Sequence, residues 1–323
     1  MDKRYLKRIE ETDFDYKARL LKYKLEYKED IDWSEIANLL KIKCSSDHLR
    51  KTSYGFLEAY NHSFKDDKYI KVLIMNDLHL PYQRDDVLEQ IEKYKNVDYL
   101  IFAGDLVDCE SCTHFPNFKH PDVNEELIIA YNFINKINNI IDKNKTKIIT
   151  ILGNHENRFK KSIMNMQEKQ LQKMLNPNLL SMLEKGFTIY EDDKEIIYKP
   201  IENFKYINKW YAKLFNNLIV AHPTDFSSID GKMAEKVSEH FLNKRIADRD
   251  DIIIFAHTHK HSSMYVNRRQ GIYVIENFCL CKEQEYADTG KLKYTPQNYG
   301  YTYLKFKKGK KININDIKLN FLK

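Results

Sequence analysis

The rhythm of hydrophobic and polar positions changes near residue 69. Before it, apolar residues recur at helical spacing, no stretch alternates as a strand would, and no glycine occurs before Gly55. Asp32, with Glu35 three residues on, has the form of a capping box and predicts a helix running to about Leu40. A turn, KIKCSS, leads to a second helix over about Asp47–Tyr60, with Ile36, Leu39, Leu40, Leu49 and Phe56 as the shared apolar faces. Two short helices about a tight turn read as a helix-turn-helix-like module and a candidate DNA contact through residues 1–60. The turn is a couple of residues longer than the DNA-binding form, and residues 32–60 carry as many acids as bases. A plain helical hairpin accounts for the pattern nearly as well.

After a polar linker, NHSFKDDK, short unbroken apolar runs begin: YIKVLIM, VDYLIFA, KIITIL, NLIVA and DIIIFA. Such runs suit strands buried on both faces of a sheet. Helices fit between them at about 85–95, 124–142 and 231–246. The last third, with GIYVIENF, YGYTYLKF and KKINI around turns such as KKGK, reads as hairpins. The expected division is a helical module over 1–66 and a catalytic domain over 67–323.

Composition adds limits. A chain of 323 residues can bury a full core. No apolar run nears the roughly 20 residues that cross a bilayer, and the N-terminal segment MDKRYLKRIEETDFDYKARL has no apolar leader core. A cytoplasmic protein without a membrane partner is expected. The net charge of +6 is mild, and the densest basic stretch, KFKKGKK at 305–311, reads as solvated turn residues. Five cysteines are an odd number and give no disulfide framework. Cys109/Cys112 and Cys279/Cys281 have spacings a zinc site can use, but reduced thiols are the simpler account.

The chemistry lies behind the strands. VLIMN is followed by Asp77-Leu78-His79, and YLIFA by Gly104, Asp105 and Asp108 in GDLVD. IITIL is followed by Gly153-Asn154-His155-Glu156, NLIVA by His222, and IIIFA by His257-Thr258-His259. In open α/β sheets, sites assemble at the carboxyl ends of strands. A bridging carboxylate among mixed oxygen and nitrogen donors is what two close divalent cations need, and such a pair activates water and offsets charge on a phosphoryl group. One D-x-H or H-x-H is weak evidence. The ordered set, each member behind a strand, is strong.

With DLH, GDLVD, GNHE, His222 and AHTH in that order, the chain resembles the calcineurin-like metallophosphoesterase superfamily across residues 72–259. The resemblance implies a four-layer α/β/β/α sandwich of two mixed sheets, here with the small N-terminal helical module of phage-type members. It implies two divalent ions, manganese first and iron, zinc or nickel as alternatives. Asp77, His79, Asp105 and His259 would hold one ion; Asp105 as the bridge, with Asn154, His222 and His257, would hold the other. His155 would contact the scissile phosphate and assist the leaving group, with Asp108 orienting it.

Two departures stand out: Ala256 replaces the usual glycine of the last motif, and Cys109-Glu110 replace the Arg-Gly of the phosphoprotein phosphatases. Arg158 is a candidate substitute phosphate contact or a salt-bridged surface arginine, and His114 and His120, in the loop around prolines 116 and 121, are candidates for the pocket mouth or plain exposed loop histidines. A helix is expected over RFKKSIMNMQEKQLQKML, with Ile163, Met166, Leu171 and Met174 as packing residues. YINKWYAKLF (206–215) reads as a half-buried strand or a base-stacking surface, and His261 as an accessory residue. The leading reading is a phosphodiesterase or nuclease acting on nucleic acid or nucleotides. A phosphomonoesterase, towards which GNHE rather than GNHD leans, and a DNA-binding regulator with a secondary metal site stay open.

Overall fold

The structure is a computed structural model that describes residues 5–7, 13–25, 28–64, 69–113, 121–166, 169, 175–191, 194–266, 271–283 and 297–323. The chain forms two compact units, Met1–Tyr69 and Ile70–Lys323.

The first unit holds helices α1 (Asp13–Leu25), α2 (Trp33–Leu39) and α3 (Ser46–Phe64). Its core combines Leu20 and Leu21 with Ile31, Ile36, Leu49 and Leu57. Each such side chain contributes roughly 1.5–3 kcal/mol relative to exposure. The sequence pattern named Ile36 and Leu49 but not the α1 leucines, which complete the core. Leu39, Leu40 and Phe56 are only partly buried. The expected capping box at Asp32 does not form: its backbone is extended, as a cap requires, but its side chain makes no cap bond. On α3, Arg50 and Lys51 both pair with Asp47, at 2.9 and 2.7 Å.

The second unit is built on two sheets. Strands β1 (Tyr69–Met75), β2 (Tyr99–Phe102) and β3 (Lys147–Ile151) lie parallel, followed by the separate hairpin of β4 (Phe187–Glu191) and β5 (Lys194–Tyr198). Strand β6 (Phe204–Ile207) then joins β3 in parallel. The chain crosses to the other sheet for β7 (Tyr211–Leu214), β8 (Leu218–Ala221), β9 (Ile252–Phe255), β10 (His261–Val266) and β11 (Ile272–Asn277). It returns to the first for β12 (Gly300–Lys307) and β13 (Ile317–Phe321). The six-stranded order is β13-β12-β1-β2-β3-β6, and the five-stranded order is β10-β11-β9-β8-β7.

Strand alternation makes the layers. Val72, Ile74, Ile101 and Ile151 from the first sheet meet Leu218, Val220, Ile252, Ile254 and Ile275 from the second in one apolar cluster. The opposite parity, Leu73, Met75, Leu100, Phe102 and Ile148, packs on helices α4 (Val87–Glu92), α5 (Val123–Ile140), α6 (Asn154–Met164) and α7 (Leu179–Lys185). Ile219, Ile253, Phe255, Ile272 and Val274 pack on Met233, Val237 and Phe241 of helix α8 (Lys232–Asn243). The result is the α/β/β/α sandwich of two mixed sheets, with β8 and β9 buried along their whole length and β1 and β2 over most of theirs, as their uniform apolarity requires.

Some local expectations differ. YINKWYAKLF is not one strand: it supplies β6 and β7, in different sheets, joined by the turn at 208–210. KKINI is not a strand, because the turn extends through it to a short 3-10 helix, Ile314–Asp316, and the strand begins at Ile317. Helix α6 starts at Asn154, four residues before the expected start, and Met166 is exposed, while Ile163 is buried. Leu171 and Met174 lie outside the described residues.

Candidate metal centre

The strand-end loops are held side by side. Beyond β1 and β2, Asp77 N donates to Gly104 O at 3.3 Å, His79 N to Asp105 O at 3.0 Å, and Leu80 N to Leu106 O at 2.9 Å. Asp77, His79, Asp105, His257 and His259 all have positive φ, between 48° and 88°. Each costs on the order of 1 kcal/mol for a residue with a Cβ, and such strain persists only where the surroundings enforce it. Close packing does so here. A Cβ at Gly104 would collide with the His222 ring, and one at Gly153 with the Asp105 carboxylate.

The side chains converge on one buried cage. Asp77 Oδ1 lies 4.0 Å from His79 Nε2, 3.9 Å from His222 Nε2 and 3.7 Å from His259 Nε2. Asp105 Oδ1 is engaged by the His155 N–H at 2.9 Å, leaving Oδ2 3.8 Å from His79 Nε2 and 3.1 Å from His222 Nε2. The donors fall into overlapping sets, Asp77/His79/Asp105 and Asp105/His222/His257, that share Asp105. His259 Nε2 joins the first, 3.2 Å from His79 Nε2, and Asn154 Oδ1 joins the second, 2.9 Å from His222 Nε2.

The donor set fits divalent cations. Asp77 Oδ1 is buried, yet among the described residues it receives no hydrogen bond, because Asn76 and the His257 N–H bind Oδ2 instead. A carboxylate oxygen and several imidazole lone pairs facing each other without a donor are costly to bury. A cation is the partner they lack. Protons take that place otherwise. Burial disfavours charge on His79 and His222, but Asp108 beside one and Asp105 beside the other raise both to about 9. Burial, reinforced by His222, lowers His257 to about 4. Against burial, His259 holds Asp77 down at about 2.

Three of the cage imidazoles are also held from behind, as metal-ligating histidines are. His79 Nδ1 lies 2.7 Å from Asp108 Oδ1, and His222 Nδ1 lies 2.8 Å from Ala103 O. His259 Nδ1 faces Gln297 Nε2 at 2.8 Å and Cys281 Sγ at 3.8 Å. Asp108 reaches His155 as well, with Oδ1 3.0 Å and its backbone O 2.7 Å from Nδ1. His155 Nε2 thus stands 3.9 Å from Asp105 Oδ2, and the Arg158 guanidinium is 3.0 Å from the same nitrogen.

All seven candidate ligands, His155, Asp108 and Arg158 therefore stand together. His114 and His120 lie outside the described residues. His261 does not join the cage; it stacks on Phe278 at 4.2 Å. Sequence reasoning missed three participants. Cys281, after β11, and Gln297, before β12, reach His259, and only the unexplained C-x-C spacing hinted at the former. Glu156 faces inward: its carboxylate accepts from the N–H groups of Leu106, Val107 and Gly153 at 2.7, 3.0 and 3.0 Å, tying two motif loops together. Burial and nearby Asp105 raise it to about 7. The glutamate of GNHE is thus a brace between the two loops.

A cage of acids and imidazoles at the carboxyl edges of two facing sheets defines a metal-dependent hydrolase of phosphate esters. The family model described as calcineurin-like phosphoesterase matches residues 70–261, more than half of the chain, and the protein belongs to that family. Solved structures are similar. An archaeal phosphodiesterase is 14% identical, with 78% of this chain and 100% of that one covered and a TM-score of 0.32. A phosphoesterase from E. coli is 15% identical, with 73% and 91% covered and a TM-score of 0.33. A metallophosphoesterase from Sphaerobacter thermophilus is 10% identical, with 79% and 88% covered and a TM-score of 0.38. No curated protein matches the chain. Among the described residues, no helix is long and apolar enough to cross a membrane.

Proposed function

We propose that the protein hydrolyses phosphodiester bonds of nucleic acid or nucleotides at a centre of two divalent cations, manganese being favoured. The observation that carries this is Asp77 Oδ1, buried without a hydrogen bond and facing three imidazole nitrogens. Asp77, His79, Asp105 and His259 would hold one ion, and Asp105, Asn154, His222 and His257 would hold the other. Such a pair, when bound, supplies an activated water and charge compensation for in-line displacement at phosphorus.

The chain's own groups do the rest. As a water oxygen bonds to phosphorus and the ester P–O bond breaks, the proton that the water gives up passes through His155 Nε2, released once Arg158 turns to the phosphate, to the leaving oxygen. Asp108 holds the other face of that ring, so the proton is delivered from a fixed direction. It steadies His79 with the same carboxylate oxygen. Burial would make Asp108 harder to ionise, but hydrogen bonds from His155 and His79 hold it well below the usual carboxylate range. Arg158 binds a non-bridging phosphoryl oxygen. Its single charge suits a diester monoanion, and Cys109-Glu110 stand where phosphoprotein phosphatases carry Arg-Gly.

Manganese-loaded full-length protein offered bis-p-nitrophenyl phosphate, p-nitrophenyl phosphate and linear DNA tests the reading. Turnover of the diester or of DNA is expected. Turnover of the monoester alone would make the protein a phosphomonoesterase, and DNA binding without turnover would favour a DNA-binding regulator.

A further inference from the structure

A cavity of about 330 Å³ opens directly beside the cage, with Asn154 and His222 in its wall. Its remaining surface has a different chemistry. Trp210 and His240 form an aromatic side, and the buried Met233 and Val237 of α8 form the floor. Trp210 is fixed in place: its ring stacks on Phe241 at 5.2 Å, and His240 meets it edge-on at 5.3 Å. Its carbonyl accepts from the N–H of His222 at 2.7 Å, so the indole is tethered to a cage residue.

We infer that this cavity is a nucleoside subsite, receiving the base and sugar of a phosphate ester whose phosphorus sits on the cage. The inference rests on the phosphoesterase reading above and narrows its substrate to a nucleotide rather than a polymer. Volume is the first reason: it lies at the small end of ligand pockets, enough for a ring system with its sugar and too little for a longer chain. The aromatic side offers the stacking by which proteins hold bases irrespective of sequence. Charge is the third. Lys236, at the rim, pairs with Asp225 at 3.8 Å, so the two rim charges offset one another. Further phosphates of a nucleic-acid strand would call for cations along their path; a single nucleoside does not.

The test uses manganese-loaded full-length protein carrying Trp33→Phe, which leaves Trp210 as the remaining tryptophan. Adenosine monophosphate, ribose 5-phosphate and phenyl phosphate are compared as quenchers of Trp210 emission and as inhibitors of bis-p-nitrophenyl phosphate turnover. Adenosine monophosphate is expected to quench, and to bind roughly tenfold tighter than ribose 5-phosphate, the usual effect of one stacked base. Val237→Phe, which fills the floor, should bring that ratio to about one. Equal binding of the two phosphates, or an unchanged ratio in Val237→Phe, overturns the inference. Phenyl phosphate matching adenosine monophosphate overturns it in favour of an aryl phosphate such as phosphotyrosine. If Val237→Phe does not fold by circular dichroism, the quenching comparison still decides. Absent diester turnover alongside selective quenching would sink the phosphodiesterase reading and spare the subsite.

Discussion

The two oxygens of Asp105 serve different ends, one fixing the His155 backbone and the other lying between imidazoles of both donor sets. Asp105→Ala should therefore lose both ions and all turnover together, read by metal content and diester hydrolysis. His155→Ala should keep the ions and lose about 10²–10⁴-fold in rate, the usual worth of positioned acid help. Emptied ion sites in that variant would make His155 a ligand instead. Cys281→Ser removes the sulfur behind His259, and ion affinity measured by competition with a chelator should fall about 10–100-fold with the fold intact. Unchanged affinity would leave Gln297 alone as the support of that ring. The candidate ligand residues, which the structure brings together, were legible from the ordered motifs and the resemblance they carry. Cys281, Gln297 and the second task of Asp108 were not, since each depends on where strands far apart in sequence finally lie.

Elements were legible where one pattern served one structure. Strands with two buried faces announce themselves by unbroken apolarity, and α5 and α8 fall close to their expected spans. The pattern says nothing about which sheet a strand joins, so the split of 206–215 between sheets was invisible, as was the register that drew KKINI into a turn. Helix α5 also fixes the turn after Asp108, for Glu126 accepts from Glu110 N and Ser111 Oγ, both at 2.7 Å. Burial is the main cause that raises Glu126 from 4.5 to about 7. A carboxyl raised on folding keeps its proton in the native state while the unfolded chain loses it. Stability from this group is then fully present below pH 4.5 and lost as pH rises to about 7. The loss is at most about 3 kcal/mol. Denaturant melts across that window should show the decline, and Glu126→Gln should flatten it; an identical slope in the variant would assign it to another group.

At the scale of the whole molecule, the family match starts at residue 70, where the second compact unit begins. Removing residues 1–66 should leave metal-dependent turnover of bis-p-nitrophenyl phosphate unchanged. Total loss of turnover in a folded remainder would mean that the helical unit completes the catalytic one. Within the second unit, the cage draws on both halves of the sandwich: Asp77, Asp105 and Asn154 follow strands of the six-stranded sheet, and His222, His257 and His259 follow strands of the five-stranded one. Bound cations would accordingly act as rivets between two slabs that otherwise adhere through hydrocarbon and a few hydrogen bonds, such as His222 Nδ1 to Ala103 O and the His257 N–H to Asp77 Oδ2. Their removal by a chelator should let the slabs breathe, with amide exchange quickening in β1 and β9 together, while α1–α3 stay as protected as before.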